Sequence, residues 1–141
     1  MSYNIAVAGK GGTGKTSLTG LLIDILLKEK KKPILVVDAD ANANINEVLG
    51  VEVESTIGQI REEANMTEKR GNSFPGGMTK AQFLQWKLNS ILVEGDGYDL
   101  LVMGRSEGEG CYCFVTGILR EQVQKISGHY DYVITDNEAG M

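Results

Sequence analysis

Hydrophobic residues along this chain form short apolar runs that alternate with longer stretches of helical spacing. Short runs rich in β-branched residues are typical of buried parallel strands. They cover residues 4–8, 34–37, 100–103 and 132–135. Helical spacing follows the first run and also covers residues 56–63, 80–93 and 116–126. This alternation predicts an α/β fold, in which helices flank a mostly parallel sheet and ligands bind beyond the carboxyl ends of the strands.

Two of the predicted helices have a marked apolar stripe. In the first helix, residues at positions i, i+3, i+4 and i+7 are Leu18, Leu21, Leu22 and Ile25. In the helix at 80–93 the stripe consists of Leu84, Leu88, Ile91 and Leu92, widened by Phe83 and Trp86. Because such stripes usually face a core, we expect both sets to pack against the sheet.

Proline, glycine and charge mark the breaks between these elements. Pro33 blocks continuation of the first helix, and the basic residues 28–32 complement the dipole at its end. Residues 65–77 are polar and contain Pro75 and several glycines, so we expect a mobile surface loop there.

The composition suits one modest domain. The chain has 141 residues, 42% hydrophobic and 23% charged, which is ordinary for a globular protein. Its net charge of -5 argues against a dedicated nucleic-acid-binding surface. The start lacks a basic segment, and Asp24 interrupts the longest apolar stretch, so we predict neither a signal peptide nor a membrane span. We therefore expect a cytoplasmic protein that binds neither nucleic acid nor membranes.

Residues 9–16 have the spacing of a phosphate-binding loop between the first strand and the first helix. In such a loop, glycines let backbone N–H groups turn onto phosphate oxygens, the lysine reaches the outer phosphates and the hydroxyl reaches magnesium. Lys15 and Thr16 take the last two roles here. The residues expected to contact the nucleotide are Gly11, Gly12, Thr13, Gly14, Lys15, Thr16 and Ser17.

Acidic residues follow two of the predicted strands. Asp136 has the form of the carboxylate that holds magnesium through water, and the backbone of Gly140 could sense the terminal phosphate. Asp38 and Asp40 end the second strand. Either they are solvated loop carboxylates, or Asp38 joins the magnesium shell and Asp40 orients the attacking water.

Three further groups remain open at this level. Lys10 is either a solvated loop residue or a second cation that binds phosphate, in its own subunit or in a partner subunit. Asn42 and Asn44 are either ligands in a switch loop or turn formers. His129 has no partner at a recognisable spacing, so we expect a turn or surface residue.

The loop 10–16 and the run 36–40 resemble the deviant phosphate-binding loop and following strand of the MinD/ParA and nitrogenase iron-protein class of dimeric ATPases. Within that class, residues 110–113 and 136–141 most resemble the CooC-type nickel-insertion ATPases that mature carbon monoxide dehydrogenase. This resemblance implies that ATP and Mg²⁺ are bound in a homodimer, that Lys10 contacts phosphate across the dimer, and that Lys10, Lys15 and Asp40 are catalytic. It also implies that the partner is the apo-dehydrogenase.

Two cysteines in the pattern Cys-x-Cys point to a shared metal site in this context. One chain supplies only Cys111 and Cys113, but a two-fold axis would double them to four thiolates, a set that suits Zn²⁺ or Ni²⁺. The alternative is a pair of idle thiols. Two other functions compete: an iron-protein-like reductase with a cluster at the dimer axis, and a positioning ATPase of the ParA/MinD kind.

Members of the resembled family continue well beyond the region that ends at Gly140. We therefore expect residues 1–141 to be the N-terminal part of a single P-loop ATPase domain, truncated at its C-terminus. The residues that contact the base would lie downstream, so the preference for adenine rests on the resemblance alone.

Overall fold

The computed structural model is an α/β structure that describes residues 2–9, 14–42, 44–105 and 111–137, with only the backbone of Cys111, Tyr112 and Phe114. In these ranges the strands are β1 (Tyr3–Ala8), β2 (Ile34–Ala39), β3 (Val93–Glu94), β4 (Tyr98–Val102) and β5 (Tyr132–Asn137). The helices there are α1 (Lys15–Lys28), α2 (Ile45–Leu49), α3 (Ile57–Lys69), α4 (Lys80–Leu88) and α5 (Cys111–Ile126). Short 3-10 turns cover Pro75–Gly77 and Ser127–His129.

The strands form one sheet in the order β1-β5-β2-β4-β3. The first four are parallel to one another, and β3 pairs antiparallel with β4. The predicted α/β fold with a mostly parallel sheet is therefore confirmed. Strand β5 follows the other strands in the sequence yet lies between β1 and β2, so the carboxyl ends of β1, β5 and β2 lie side by side at one end of the sheet.

Hydrophobic clusters cover both faces of the sheet, and every residue of β2 is buried. On one face, alternate strand residues pack with α1 and α2; this cluster includes Ile23, Ile34, Val36, Ile45, Leu100 and Ile134. On the other face they pack with α3, α4 and α5; this cluster includes Leu35, Val37, Ile57, Leu88, Leu101, Val115 and Leu119. Burial on both faces explains why β2 has a continuous apolar run instead of alternation.

Helices α3 and α4 differ from the sequence prediction at their ends. Thr56 caps α3 by a reciprocal pair of hydrogen bonds with Gln59, and the helix continues to Lys69, so the first residues of the predicted loop 65–77 are helical. Helix α4 ends at Leu88 instead of Val93, because the chain then turns to form β3. Ile91 is nevertheless buried in the predicted cluster.

The aromatic residues of α4 have different fates. Phe83 is 2% exposed, as predicted, whereas Trp86 is 51% exposed, so the prediction that it widens the buried stripe is wrong. Trp86 packs its ring against Phe83 from the solvent side, with a centroid distance of 6.0 Å. Within the described ranges, no helix combines the length and apolar character needed to cross a lipid bilayer.

The apolar stripe of α1 is not the face that packs on the sheet. Leu18, Leu21 and Ile25 are about half exposed, while Thr19 and Ile23 on another face are buried. Gly20 of α1 approaches Val48 of α2. Because each residue turns the helix by about 100°, the stripe lies on nearly the opposite side of α1 from Gly20. The prediction that this stripe is buried is therefore wrong for these residues, because α1 packs through smaller and more central side chains.

Replacing buried and exposed aliphatic residues of α1 tests this packing. Ile23 is 1% exposed, so we expect Ile23→Ala to lower the free energy of unfolding by about 2–5 kcal/mol through lost contacts and a cavity. Leu21 is 56% exposed, and Leu21→Ala in the same helix should cost less than about 1 kcal/mol. Urea denaturation of the 141-residue chain measures both; equal losses would contradict the packing described.

Candidate functional site

The candidate site lies at the carboxyl ends of β2 and β5, which are neighbours in the sheet. Asp38 stands directly opposite Asp136 in the ladder, and Asp40 follows β2 by one residue. Asp38 and Asp136 are both completely buried. From the sequence we placed them just after their strands, but each is the second-to-last residue of its strand in the structure. The parallel sheet thus gathers the three carboxylates that the sequence places almost 100 residues apart.

Helix α1 brings a lysine to the same place. Gly14 precedes the helix with φ of 82°, a left-handed conformation that glycine adopts without a steric penalty. Lys15 is the first residue of α1 and is 7% exposed. Thr16 is half-buried and Ser17 is exposed on the same first turn. The helix N-terminus therefore lies beside the acidic ends of the strands.

The Lys15 ammonium is held by three oxygen acceptors. It donates to Asp40 Oδ2 at 3.0 Å, to Asp136 Oδ1, and to the backbone carbonyl of Asn137 at 2.7 Å. An ammonium has three N–H donors, so this arrangement satisfies all of them. The lysine thereby joins the start of α1 to the ends of both strands.

Burial and charge act in opposite directions on these groups. Burial by itself would lower the pKa of Lys15, but its hydrogen bonds with Asp136 and Asp40 and their negative charges outweigh that effect and raise it. For Asp40, burial would raise the pKa, but the Asn42 backbone N–H and the Lys15 ammonium lower it. The ion pair of Lys15 with Asp40 is therefore fully charged at neutral pH.

Asp38 is in a different position, because no cation touches it among the described residues. Burial raises the pKa of its carboxyl to about 6, and the charges of Asp136 and Asp40 add to this. The backbone N–H groups of Asp40 and Ile45 act against the shift but do not cancel it. Counting only the described residues, the site combines one ammonium with three carboxylates and carries an excess of negative charge.

Two carboxylate oxygens are suited to a divalent cation. Oδ2 of Asp38 and Oδ2 of Asp136 are buried and make no hydrogen bond within the part of the chain that the structure describes. A buried oxygen without a partner costs free energy, and a bound cation would remove that cost. Magnesium prefers such carboxylate oxygens together with water and phosphate, so the residues present fit it.

Several predicted site residues lie outside the described residues. They are Lys10, Gly11, Gly12, Thr13 and Gly140. Their roles stay predictions.

The cysteine motif lies at the start of α5, not in a loop before it. We predicted that this helix begins at residue 116, but it begins at Cys111, so the motif forms its first residues. The two cysteines are therefore two residues apart on one helix, and the side chain of Cys111 lies outside the described residues. Cys113 is exposed and unpaired, and no cluster of three potential metal ligands occurs among the described residues.

Sequence reasoning missed two contributors to the site. The Asn137 carbonyl accepts from Lys15, a backbone contact that no residue type reveals. Arg105, which follows β4, donates to the Ala41 carbonyl at 3.3 Å and to the Asn42 side chain. The sequence signal that could have identified Arg105 is a cation two residues after the predicted strand 100–103. Asn42 lies in a turn, and Asn44 is the N-cap residue of α2. His129 is exposed in a 3-10 turn, as predicted.

A glycine-containing turn between a parallel strand and a helix, whose first lysine meets acidic strand ends, defines the P-loop class of nucleotide-binding folds. The sequence model of the AAA domain family matches residues 3–139. The chain belongs to this family.

Two curated relatives extend this result. The uncharacterized ATP-binding protein MJ0685 of Methanocaldococcus jannaschii is 53% identical over 137 residues, covering 97% of this chain and 53% of the relative. The carbon monoxide dehydrogenase accessory protein CooC of Rhodospirillum rubrum is 30% identical, with coverages of 97% and 55%. The chain therefore spans about half the length of the curated relatives it matches.

A solved structure agrees with the fold. The septum site-determining protein MinD of Pyrococcus horikoshii, crystallised with Mg-ADP, superimposes with a TM-score of 0.63 at 27% identity. The match covers 100% of this chain and 51% of that protein. The MinD-like part of the sequence interpretation is thus supported at the level of fold and family.

Replacing Asp38 with asparagine tests the electrostatics of the site. The raised pKa of Asp38, about 6 against about 3.9 in an unfolded chain, means that protonation contributes stability below about pH 4 that is lost as the pH rises through about 6. Asparagine cannot ionise, so Asp38→Asn should raise the free energy of unfolding by about 2 kcal/mol at pH 8 and by little at pH 4. Urea denaturation without nucleotide or magnesium measures this gain.

The matched control is Asp24→Asn, which removes an exposed carboxylate from α1 and should give no such pH-dependent gain. An Asp38→Asn effect that is the same at both pH values would contradict the raised pKa.

Proposed function

We propose that the protein is a Mg²⁺-dependent ATPase that works as a homodimer. The observation that carries this proposal is the Lys15 ammonium at the first turn of α1, held by Asp40 and Asp136 at the ends of neighbouring strands. A lysine in that position meets the outer phosphates of a nucleotide bound at the helix N-terminus. The name of MJ0685 and the Mg-ADP bound to the MinD structure support an adenine nucleotide.

The side chains gathered at the site have separate roles in this reaction. Lys15 exchanges its carboxylate partners for oxygens of the β- and γ-phosphates. Thr16, Asp38 and Asp136 hold the magnesium ion, directly or through water. When bound, this ion neutralises phosphate charge. Asp40, released from Lys15, accepts a hydrogen bond from the attacking water and orients it in line with the bond that breaks.

Residues of the loop and of a second subunit complete the proposed site. Backbone N–H groups of residues 11–17 surround the phosphates, and the Gly140 N–H contacts the outermost one. Lys10 of the partner subunit adds positive charge in the manner of an arginine finger. Residues 1–141 form the N-terminal part of a single ATPase domain, a proposal supported by relatives of about twice this length.

We further propose that the protein is a cytoplasmic metallochaperone whose cargo is Ni²⁺ or Zn²⁺. Cys111 and Cys113 from two subunits supply four thiolates, and nickel passes to the apo form of a carbon monoxide dehydrogenase. The similarity to CooC at 30% identity supports this client.

A positioning ATPase of the MinD kind is the second candidate. The 27% identical MinD structure favours it, since the match extends over the whole chain. In that case the thiols have no part in function. Metal content of the purified protein distinguishes the two candidates, because only the metallochaperone requires one metal ion per two chains.

Substitutions at Lys15 and Asp40 test the ATPase proposal. Lys15→Ala removes a charged phosphate contact, so we expect nucleotide affinity to fall by about 10- to 100-fold, measured by titration calorimetry with ATP and magnesium. Asp40→Asn should leave affinity within about threefold but lower kcat by about 100-fold or more, because water orientation is lost.

The matched controls are Lys28→Ala and Asp24→Asn, which remove an exposed ion pair from the same helix and should change neither quantity. Wild-type affinity in Lys15→Ala would remove the nucleotide proposal. Full turnover in Asp40→Asn would remove its assigned role.

Substitutions in the cysteine motif test the metal proposal. Cys111→Ala and Cys113→Ala should each abolish the binding of one metal ion per two chains, as measured by elemental analysis and native mass spectrometry. Nucleotide affinity should remain largely intact, because neither thiol belongs to the phosphate site. Unchanged metal content in either variant would contradict the four-thiolate site.

A further inference from the structure

Arg105 connects the loops that follow two neighbouring strands. It lies three residues after β4, is exposed, and reaches across to the loop after β2. Its Nε donates to the Ala41 carbonyl at 3.3 Å, and a terminal nitrogen donates to the Asn42 side-chain oxygen. Strands β2 and β4 pair in parallel, which brings these loops together although 63 residues separate Arg105 from Asn42.

The bridged loop contains the residue to which we assign water orientation. The Asn42 backbone N–H donates to Asp40 Oδ1 at 2.8 Å, while Asp40 Oδ2 accepts from Lys15. One carboxylate oxygen therefore depends on the loop and the other on the lysine. When Lys15 turns to phosphate, the Asn42 contact is the side-chain restraint on Asp40 that remains among the described residues.

The backbone that leads to Arg105 is held by close contacts and a hydrogen bond. Gly104 has φ of 68°, and a Cβ atom there would lie 2.4 Å from the Thr56 hydroxyl, so glycine is required for the close approach to the start of α3. Met103 is buried and donates its backbone N–H to the Asp38 carbonyl at 2.9 Å. Arg105 thus extends from a rigid point of the sheet and can hold the more exposed loop.

The chemistry of the contact requires a guanidinium group. Both acceptors are neutral oxygens, one on the backbone and one on a side-chain amide, so the contact is not an ion pair. A guanidinium presents its donors in a fixed planar fork and can reach both acceptors at once, whereas a lysine ammonium is a point charge on a flexible stem. A lysine at position 105 keeps the positive charge but should not restore this contact.

We propose that Arg105 is a positioning residue that holds the loop 40–42 so that Asp40 stays aligned with the attacking water. This inference deepens the proposed ATPase function and rests on it for its kinetic consequence. Among the described residues, Arg105 hydrogen-bonds to Ala41 and Asn42 and not to Lys15, so it acts on hydrolysis through Asn42 and Asp40.

Amide hydrogen exchange tests the structural half of the proposal without any need for catalysis. Rapid-exchange NMR on the nucleotide-free protein should show the Asn42 amide exchanging at least about fivefold faster in Arg105→Ala than in wild type. Arg105→Lys should behave like Arg105→Ala, because the fork is lost while the charge remains. Arg70→Ala, which removes another exposed arginine, is the control and should leave the Asn42 amide unchanged.

Steady-state kinetics test the functional half. We expect Arg105→Ala and Arg105→Lys to lower kcat by about 5- to 20-fold while the dissociation constant for ATP stays within about twofold of wild type. Asn42→Ala should lower kcat similarly, and the double variant Arg105→Ala, Asn42→Ala should be no worse than either single one, because both break the same contact. A merely structural role would not produce this split between kcat and affinity, nor this non-additivity.

The outcomes separate the two proposals. Unchanged Asn42 exchange, additive losses, or full rescue by lysine would each overturn the role of Arg105 while leaving the ATPase function intact. Absence of turnover in the wild-type protein would instead overturn the ATPase proposal. In that case the role of Arg105 in hydrolysis falls with it, and the exchange result still decides whether the bridge holds the loop.

Discussion

The arrangement of the site depends on the buried ammonium of Lys15 between Asp40 and Asp136. Charged groups buried in a protein are tolerated only when they are paired and hydrogen-bonded, and here one lysine pairs with two carboxylates, one just after β2 and one in β5. The pairing is possible because β5 inserts between β1 and β2, so that the start of α1 faces both strand ends. A phosphate group would therefore not meet a free lysine. It would exchange with partners that are already present.

Sequence reasoning located most of this fold, and its failures have physical causes. Continuous apolar runs identified the four parallel strands, and the glycine-lysine pattern identified the start of α1. Periodicity could not tell which side of α1 meets the sheet, because Leu18, Leu21 and Ile25 have the same spacing as a buried stripe. It also extended α4 past Leu88, since apolar residues of a helix and of a short antiparallel strand look alike over a few positions.

The site was predicted better than the connections around it. Carboxylates after apolar strands carry a strong signal, because parallel strands end at one edge of the sheet. The contacts of the Asn137 carbonyl and of Arg105 could not be predicted in this way, because they depend on which loops become neighbours in the fold. The cysteine motif shows the same limit: the spacing of two thiols suggests a metal site, but it did not reveal that α5 already begins at Cys111.

The two outer strands of the sheet, β1 and β3, differ in how well each could pair with a further strand. At one edge, β3 is only two residues long and antiparallel, so it is a poor template for pairing. At the other, β1 is six residues long, largely exposed, and flanked by the uncovered side of α1. A strand that widened this sheet would therefore join at β1. The carboxyl ends of β1, β5 and β2, which now lie near one side of the sheet, would then occupy the middle of a broader sheet.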